Sequence, residues 1–343
     1  MLDGAVLVLL LTRVSYILYK VLTHTIEKKF NMGGLSHSYL AQLLPVPVVQ
    51  AIDGRLDKER LYELRFRINK PVSVNYGGKY FFLGAEGLSE RHQNAFCATY
   101  DVLKYIADKA TERSMYAVTS QLASGFITVR GGLRLGIAGQ IVSDGQSIRT
   151  IKNISSLNIR VPHEVKFCSQ IAANHIFGSG KNVHNALIVS PPGGGKTTFL
   201  RDLAFIAGLK MPLSNILIVD ERNEIAACHE GQPQLDVGLC ADIYTDCTKK
   251  FAFESGIRGM RPDIIITDEI ATKEDADALL YAMSCGVKVI ASVHAKDCRE
   301  LDDKDGWNKL IKSRLITRYI CISDRSGPGT YEGVFDEGMN SIN

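Results

Sequence analysis

From about residue 181 onward, apolar positions come in short unbroken runs separated by stretches with helical spacing. Residues 186–189, 216–219, 264–266, 287–293 and 319–322 read as strands, and residues 196–209, 275–284 and 301–315 as helices. A strand that is apolar at every position has no face to give to water. Such strands alternating with helices predict an α/β unit whose parallel sheet is covered on both sides. Residues 33–165 are patterned differently. Residues 62–68 alternate like a half-buried strand, 71–76 and 79–83 flank Gly77-Gly78 as a hairpin, and 98–109 have helical spacing. A second hairpin spans 126–130 and 134–142 around Gly131-Gly132, and 158–161 reads as a last strand stopped by Pro162. This is the pattern of a smaller α+β domain. Residues 166–182 read as a linker helix region, with the linker itself near Gly178-Ser179-Gly180. The second domain is expected over 183–335 and a tail over 336–343. No internal repeat is visible.

The chain has 343 residues, enough for two domains with a core each. Hydrophobic residues at 45% and charged residues at 22% exclude wholesale disorder and a many-pass membrane protein. The net charge of +3 argues against nucleic-acid binding by bulk charge. None of the eight cysteines forms a C-x-x-C pair or a zinc-like spacing, so all eight are expected to be reduced and mostly buried. Residues 1–32 stand apart. Residues 5–11 are apolar and are followed by Arg13, and the gain from the apolar residues roughly cancels the cost of the arginine in a bilayer. The segment reads as an extension ahead of a start at Met32, as a membrane-associated segment, or as a packed helix.

The chemistry begins at Ser190-Pro191-Pro192-Gly193-Gly194-Gly195-Lys196-Thr197-Thr198, between a strand and a helix. This approaches the Walker A pattern, with Ser190 where the strict pattern has glycine. Pro192 to Thr198 form a loop whose backbone N–H groups can surround a phosphate. Lys196 then reaches the outer phosphates of ATP, and the Thr197 hydroxyl is a ligand for Mg²⁺. Two strands end in acids. At 264–269, Asp268 is expected to hold Mg²⁺ through water and Glu269 to polarise the attacking water. At 218–224, Asp220, Glu221 and Glu224 offer further carboxylates at the edge where α/β sheets bind ligands. His294 closes the strand after the Asp268 strand and is the candidate γ-phosphate sensor. Arg134, Arg160, Arg258 and Arg261, with Arg130, are candidates to neutralise the transferred phosphoryl group, one of them from a neighbouring subunit.

These residues resemble the stage III sporulation protein AA family, whose members look like the ring ATPases of type II and type IV secretion and pilus retraction. The resemblance covers residues 35–335 and is carried by 190–203, 219–227, 232–238 and 261–270, with 130–139 and 158–160 in the first domain. It implies a RecA/AAA-like P-loop ATPase with ATP and Mg²⁺ as cofactors. It matches an acidic "Asp box" to residues 220–224 and a "His box" to His294. Cys240 stands where a basic residue is expected, and residues 1–31 have no counterpart. The resemblance further implies a self-assembling ring, hexameric by analogy. The ring would lie in the mother-cell cytoplasm, peripheral to the membrane, and energise or assemble a channel complex joining mother cell and forespore.

The base is open between two readings. Glu269 directly follows the metal-holding aspartate, whereas the resemblance favours Glu221 or Glu224. Two other functions compete with the ring motor: a RecA-like nucleic-acid motor, and a nucleotide-gated scaffold with little turnover.

Overall fold

The structure is a computed structural model that describes residues 39–112, 118, 121–122, 125–143, 148–178, 182–301 and 307–342. The readings of residues 1–32 lie outside the described residues. Among the described residues no helix is long and apolar enough to cross a membrane. The chain divides into two compact units, 1–162 and 163–343.

The first unit contains α1 (Val46–Ile52), β1 (Leu61–Arg67), β2 (Lys70–Pro71), β3 (Ser73–Tyr76), β4 (Lys79–Gly84), β5 (Gly87–Ser89) and β6 (Cys97–Ala98). It continues with α2 (Tyr100–Ala110), β7 (Ile127–Thr128), β8 (Arg134–Ser143) and β9 (Ile148–Arg160). A seven-stranded antiparallel sheet runs in the order β5-β4-β3-β1-β9-β8-β7. Both expected hairpins form, and Gly77 and Gly78 take the positive φ values, 61° and 84°, that a two-residue turn between twisted strands requires. Period-two patterning sorts the faces. Val74, Leu64, Ile159, Leu135 and Ile127 are paired in register across five strands and all are buried. They share a core with Leu103 and Ile106 of α2, whose start is capped by the Thr99 hydroxyl. The next row on the other face is Asn75, Glu63, Arg160, Arg134 and Thr128. The last strand, expected only over 158–161, is thirteen residues long. Its polar first half and a register shift opposite Ala138–Gln140 conceal the alternation.

The second unit contains α3 (Gln170–Phe177), β10 (Ala186–Ser190), α4 (Lys196–Lys210), β11 (Ile216–Asp220), β12 (Ala241–Thr245) and α5 (Lys249–Gly259). It continues with β13 (Ile264–Glu269), α6 (Lys273–Ser284), β14 (Lys288–His294), α7 (Asn308–Lys312), β15 (Arg318–Ser323) and β16 (Thr330–Phe335). The sheet order is β12-β11-β13-β14-β10-β15-β16. The first six strands are parallel and β16 is antiparallel. Leu187, Val189, Leu217, Val219, Ile265 and Ala291 form one core with Phe253 of α5 and Leu279 and Ala282 of α6. The alternate residues Ile188, Ile218, Ile264, Ile266 and Ile290 are equally buried, so both faces of the sheet are covered.

Four expectations change here. The linker placed at 178–180 falls inside the second unit, because α3 packs against α4, β15 and β16. The helix expected over 301–315 is present among described residues only as α7, preceded by a 3-10 turn at Cys298–Leu301. The tail folds back, with Ile342 N–H donating to the Val334 carbonyl and the Asp336 carboxylate accepting from Gly338 and Asn340. Finally, the cysteines are not all separate thiols. Cys298 and Cys321, far apart in sequence, are paired with 7.0 Å between Cα atoms, and six described cysteines are free.

Candidate functional site

The C-terminal ends of β10, β11, β13 and β14 all open on one edge of the second unit's sheet. A cleft of about 350 Å³ lies there, lined by Gly193, Gly195, Lys196, Thr197, Thr198, Arg222, Glu224, Asp268, Glu269, Ser292 and His294.

The loop after β10 is shaped by its glycines. Gly195 caps the start of α4 at φ 86°, a left-handed conformation. At Gly194, a Cβ would fall 2.0 Å from Ser190 Oγ. Ser190 is fully buried and fills the floor of the loop, so its departure from glycine is absorbed by the bare backbone opposite. The β15–β16 loop braces this arrangement, since Gly329 N–H donates to the Gly194 carbonyl across 2.9 Å. No feature of the sequence reading had connected that loop to the phosphate loop.

Lys196 is buried, with its ammonium 3.2 Å from the Pro191 carbonyl and 2.6 Å from Nδ1 of His294. A lysine ammonium only donates, so Nδ1 accepts and the proton of a neutral imidazole sits on Nε2. Nε2 lies 3.2 Å from Glu269 Oε2 and donates to it. His294 owes its position to strand order. β14 lies directly beside β10, in a register that sets Ser190 opposite His294.

Asp268 and Glu269 are neighbours on a strand, and regular pleating would send them to opposite faces. β13 is irregular there. Ile266 pairs with Ile290 and Glu269 with Ser292, so three steps on β13 match two on β14. This bulge re-aims the strand end and lets both carboxylates line the cleft. Asp268 is buried, and burial pushes its carboxyl up to about 6 even though the Lys249 ammonium opposes the shift. Lys249 Nζ forms an ion pair with Asp268 Oδ1 across 2.7 Å, and among the described residues neither oxygen of this buried carboxylate has a hydrogen-bond partner. A buried carboxylate with a free acceptor at the cleft wall fits the hydration shell of a divalent cation. The Thr197 hydroxyl supplies a second hard oxygen ligand.

The other acidic strand end separates into three roles. Asp220 is fully buried, and its carboxylate accepts from the backbone N–H groups of Glu224, Ile225 and Ala226 at 2.7–2.9 Å. It organises the loop. Glu221 is held 2.5 Å from Lys249 and does not line the cleft. Glu224 does line it, and Arg201 fixes that stretch by donating to the Glu224 and Ile225 carbonyls.

Of the candidate arginines on the second unit, neither Arg258 nor Arg261 lines this cleft. Arg258 ends α5, and Arg261 precedes β13, so both sit at the opposite edge of the sheet from Glu269. Arg134 and Arg160 face each other on β8 and β9 of the first unit; Arg134 stacks on Phe126, and Arg160 lies 3.9 Å from Glu63. The arginine lining the cleft is Arg222, 3.8 Å from Glu269. Its place within 220–224 is the only signal that could have singled it out. Lys249 gave none.

The family model described as sporulation stage III, protein AA matches residues 39–342. Stage III sporulation protein AA of Bacillus subtilis (strain 168) is 32% identical over 310 residues, covering 88% of this chain and 96% of its own. The pilus retraction motor PilT, solved with bound ADP, superposes with a TM-score of 0.52 at 16% identity, covering 76% of this chain and 74% of its own. The Legionella pneumophila ATPase DotB gives a TM-score of 0.48 at 13% identity, over 77% and 72%. The fold is thus similar to that of the pilus retraction motor.

Proposed function

This chain belongs to the sporulation stage III, protein AA family, and from that premise we propose that it is an ATP-hydrolysing motor. The observation that carries this reading is the chain of contacts from Lys196 through His294 to Glu269 across a cleft floored by the phosphate loop. A lysine for the outer phosphates and a carboxylate for the water both line the cleft a triphosphate would take.

The backbone N–H groups of 193–198 and the N-terminus of α4 bind the phosphates. Mg²⁺, held by Thr197 and through water by Asp268, supplies charge neutralisation when bound. Glu269 takes a proton from the attacking water as its oxygen bonds to the γ-phosphorus. The bond to the bridging oxygen breaks, giving ADP and phosphate. Glu269 needs its negative charge for this. His294 and Arg222 are the donors beside it that orient it. The candidate arginines Arg134, Arg160, Arg258 and Arg261 would act on a neighbouring subunit's nucleotide in a ring, hexameric by analogy. The proposed setting is the mother-cell cytoplasm, with the ring peripheral to the membrane, energising or assembling a channel complex. The test is phosphate release measured together with mass by light scattering, with and without ATP and Mg²⁺. ATP-dependent oligomers that release phosphate support the motor. Binding without release leaves a nucleotide-gated scaffold, and a salt-sensitive shift with single-stranded nucleic acid revives a RecA-like motor.

A further inference from the structure

Lys249 is the first residue of α5, and its side chain is only 2% exposed. Both facts are unusual. A cation at a helix N-terminus opposes the helix dipole, and α5 has no acid in its first turn to offset it. A buried ammonium is tolerated only where it is paired. Its partners come from two other strands: Glu221, just past β11, at 2.5 Å, and Asp268 of β13 at 2.7 Å. Other charged groups near this point are Asp220, at the end of β11, and Asp246, on the loop between β12 and α5. Locally the lysine is misplaced, so its position is explained only by the carboxylates it joins.

We propose that Lys249 is a positioning residue for hydrolysis: its ammonium clamps Glu221 to Asp268, which withholds Glu221 from base chemistry and holds the Asp268 carboxylate in place at the cleft wall. This rests on the ATPase reading above and deepens it by separating the carboxylates. The clamp is an ion pair to one oxygen of Asp268, and among the described residues neither oxygen is committed to a hydrogen bond. Glu221 is paired with the ammonium and is absent from the cleft lining, while Glu269 lines it and, among the described residues, is met by two donors, His294 and Arg222. Without the lysine, two like charges would face each other across a buried gap and part, and Asp268 would lose its aim.

The experiment compares K249Q, K249R, E221Q and E269Q in the full chain, with two readouts. One is the rise in melting temperature given by AMP-PNP, split into the part seen with EDTA and the increment added by Mg²⁺. The other is single-turnover ATP hydrolysis. K249Q is expected to keep the EDTA part, lose most of the Mg²⁺ increment and hydrolyse roughly 10–100-fold more slowly, the range seen when a residue supporting a metal-holding group is removed. K249R restores the Mg²⁺ increment, because the cation is what matters. E221Q slows hydrolysis at least about tenfold less than E269Q. The proposal is overturned if E221Q is as slow as E269Q with binding intact, or if K249Q keeps the full Mg²⁺ increment. Should K249Q not fold, the comparison of E221Q with E269Q decides alone. Failure of the ATPase reading has a different signature: the parent chain itself is not stabilised by AMP-PNP and hydrolyses nothing.

Discussion

Lys196 and His294, 98 residues apart, meet at 2.6 Å, the lysine donating to Nδ1 of the imidazole. The contact joins the phosphate loop to the strand beside it and, through Nε2, to Glu269. On the proposed reading a bound triphosphate would compete for the lysine's protons, and His294 would register whether the outer phosphates are present.

Replacing Lys196 by alanine should abolish nucleotide binding or turnover. Its charge is the part of the loop that reaches the outer phosphates, and losing one such preorganised donor costs on the order of 10²–10³-fold. Turnover and binding measured beside circular dichroism check this. Full activity in the variant refutes the phosphate-loop assignment.

Among the carboxylates, Glu269→Gln is expected to keep ATP and Mg²⁺ binding and to slow single-turnover hydrolysis by ~10²–10⁴-fold. Glu224→Gln should slow it far less. Glu224 lines the cleft, and backbone groups fix its loop: its carbonyl accepts from Arg201 and its N–H donates to Asp220. A normal Glu269→Gln beside a dead Glu224→Gln reverses the roles.

Asp220 is predicted to matter for folding of the second unit. Its carboxylate satisfies three backbone N–H groups in a fully buried position. Hydrogen bonds to charged groups contribute about 1.5–3 kcal/mol each, so Asp220→Ala should destabilise by at least about 3 kcal/mol. Urea denaturation measures it, and a loss below about 1 kcal/mol contradicts the role.

The raised carboxyl of Asp268 predicts a pH signature. With its folded value near 6 and its ordinary value at 3.8, the folded chain holds this proton more tightly than the unfolded chain. The ionised form therefore costs stability, and the cost builds as pH rises from about 4 through 6. Its full size is on the order of 3 kcal/mol. Asp268→Asn has no such proton to lose. Its stability relative to the parent should rise across that window in metal-free buffer. A flat difference in denaturant midpoints rules this out.

Subunit coupling is tested by mixing. Specific activity should rise with protein concentration. Lys196→Ala chains mixed with chains lacking Arg134, Arg160, Arg258 or Arg261 should recover activity only for arginines that act on a neighbour. Constant specific activity at every dilution, from a monomer, refutes the ring.

Much of the second unit was legible because its signals are local. The apolar run 186–189, the glycines behind it and the spacing of 196–209 each constrain adjacent residues, and β10, the loop and α4 appear where that reading puts them. The same holds for β13 with Asp268 and for β14 with His294. Less was legible where an element depends on its neighbours. α5 has a mixed face, and β12 is a half-buried edge strand, so neither has the clear periodicity that identifies an element. The polar start of β9 is held by a long pairing with β8 rather than by its own pattern.

By itself the sequence determined the alternation of strand and helix, the phosphate loop, and which carboxylates end strands, because contiguous backbone chemistry decides these. Tertiary structure alone decided which of those groups act on one another. Strand order brought β14 beside β10 and so His294 to Lys196. A bulge turned Asp268 and Glu269 to the same cleft. The packing of α5 brought Lys249 between Glu221 and Asp268, while the direction of β13 put Arg261 at the edge away from them. Charge interactions act over a few ångströms of space, and spacing along the chain says nothing about those distances once strands of distant sequence lie side by side.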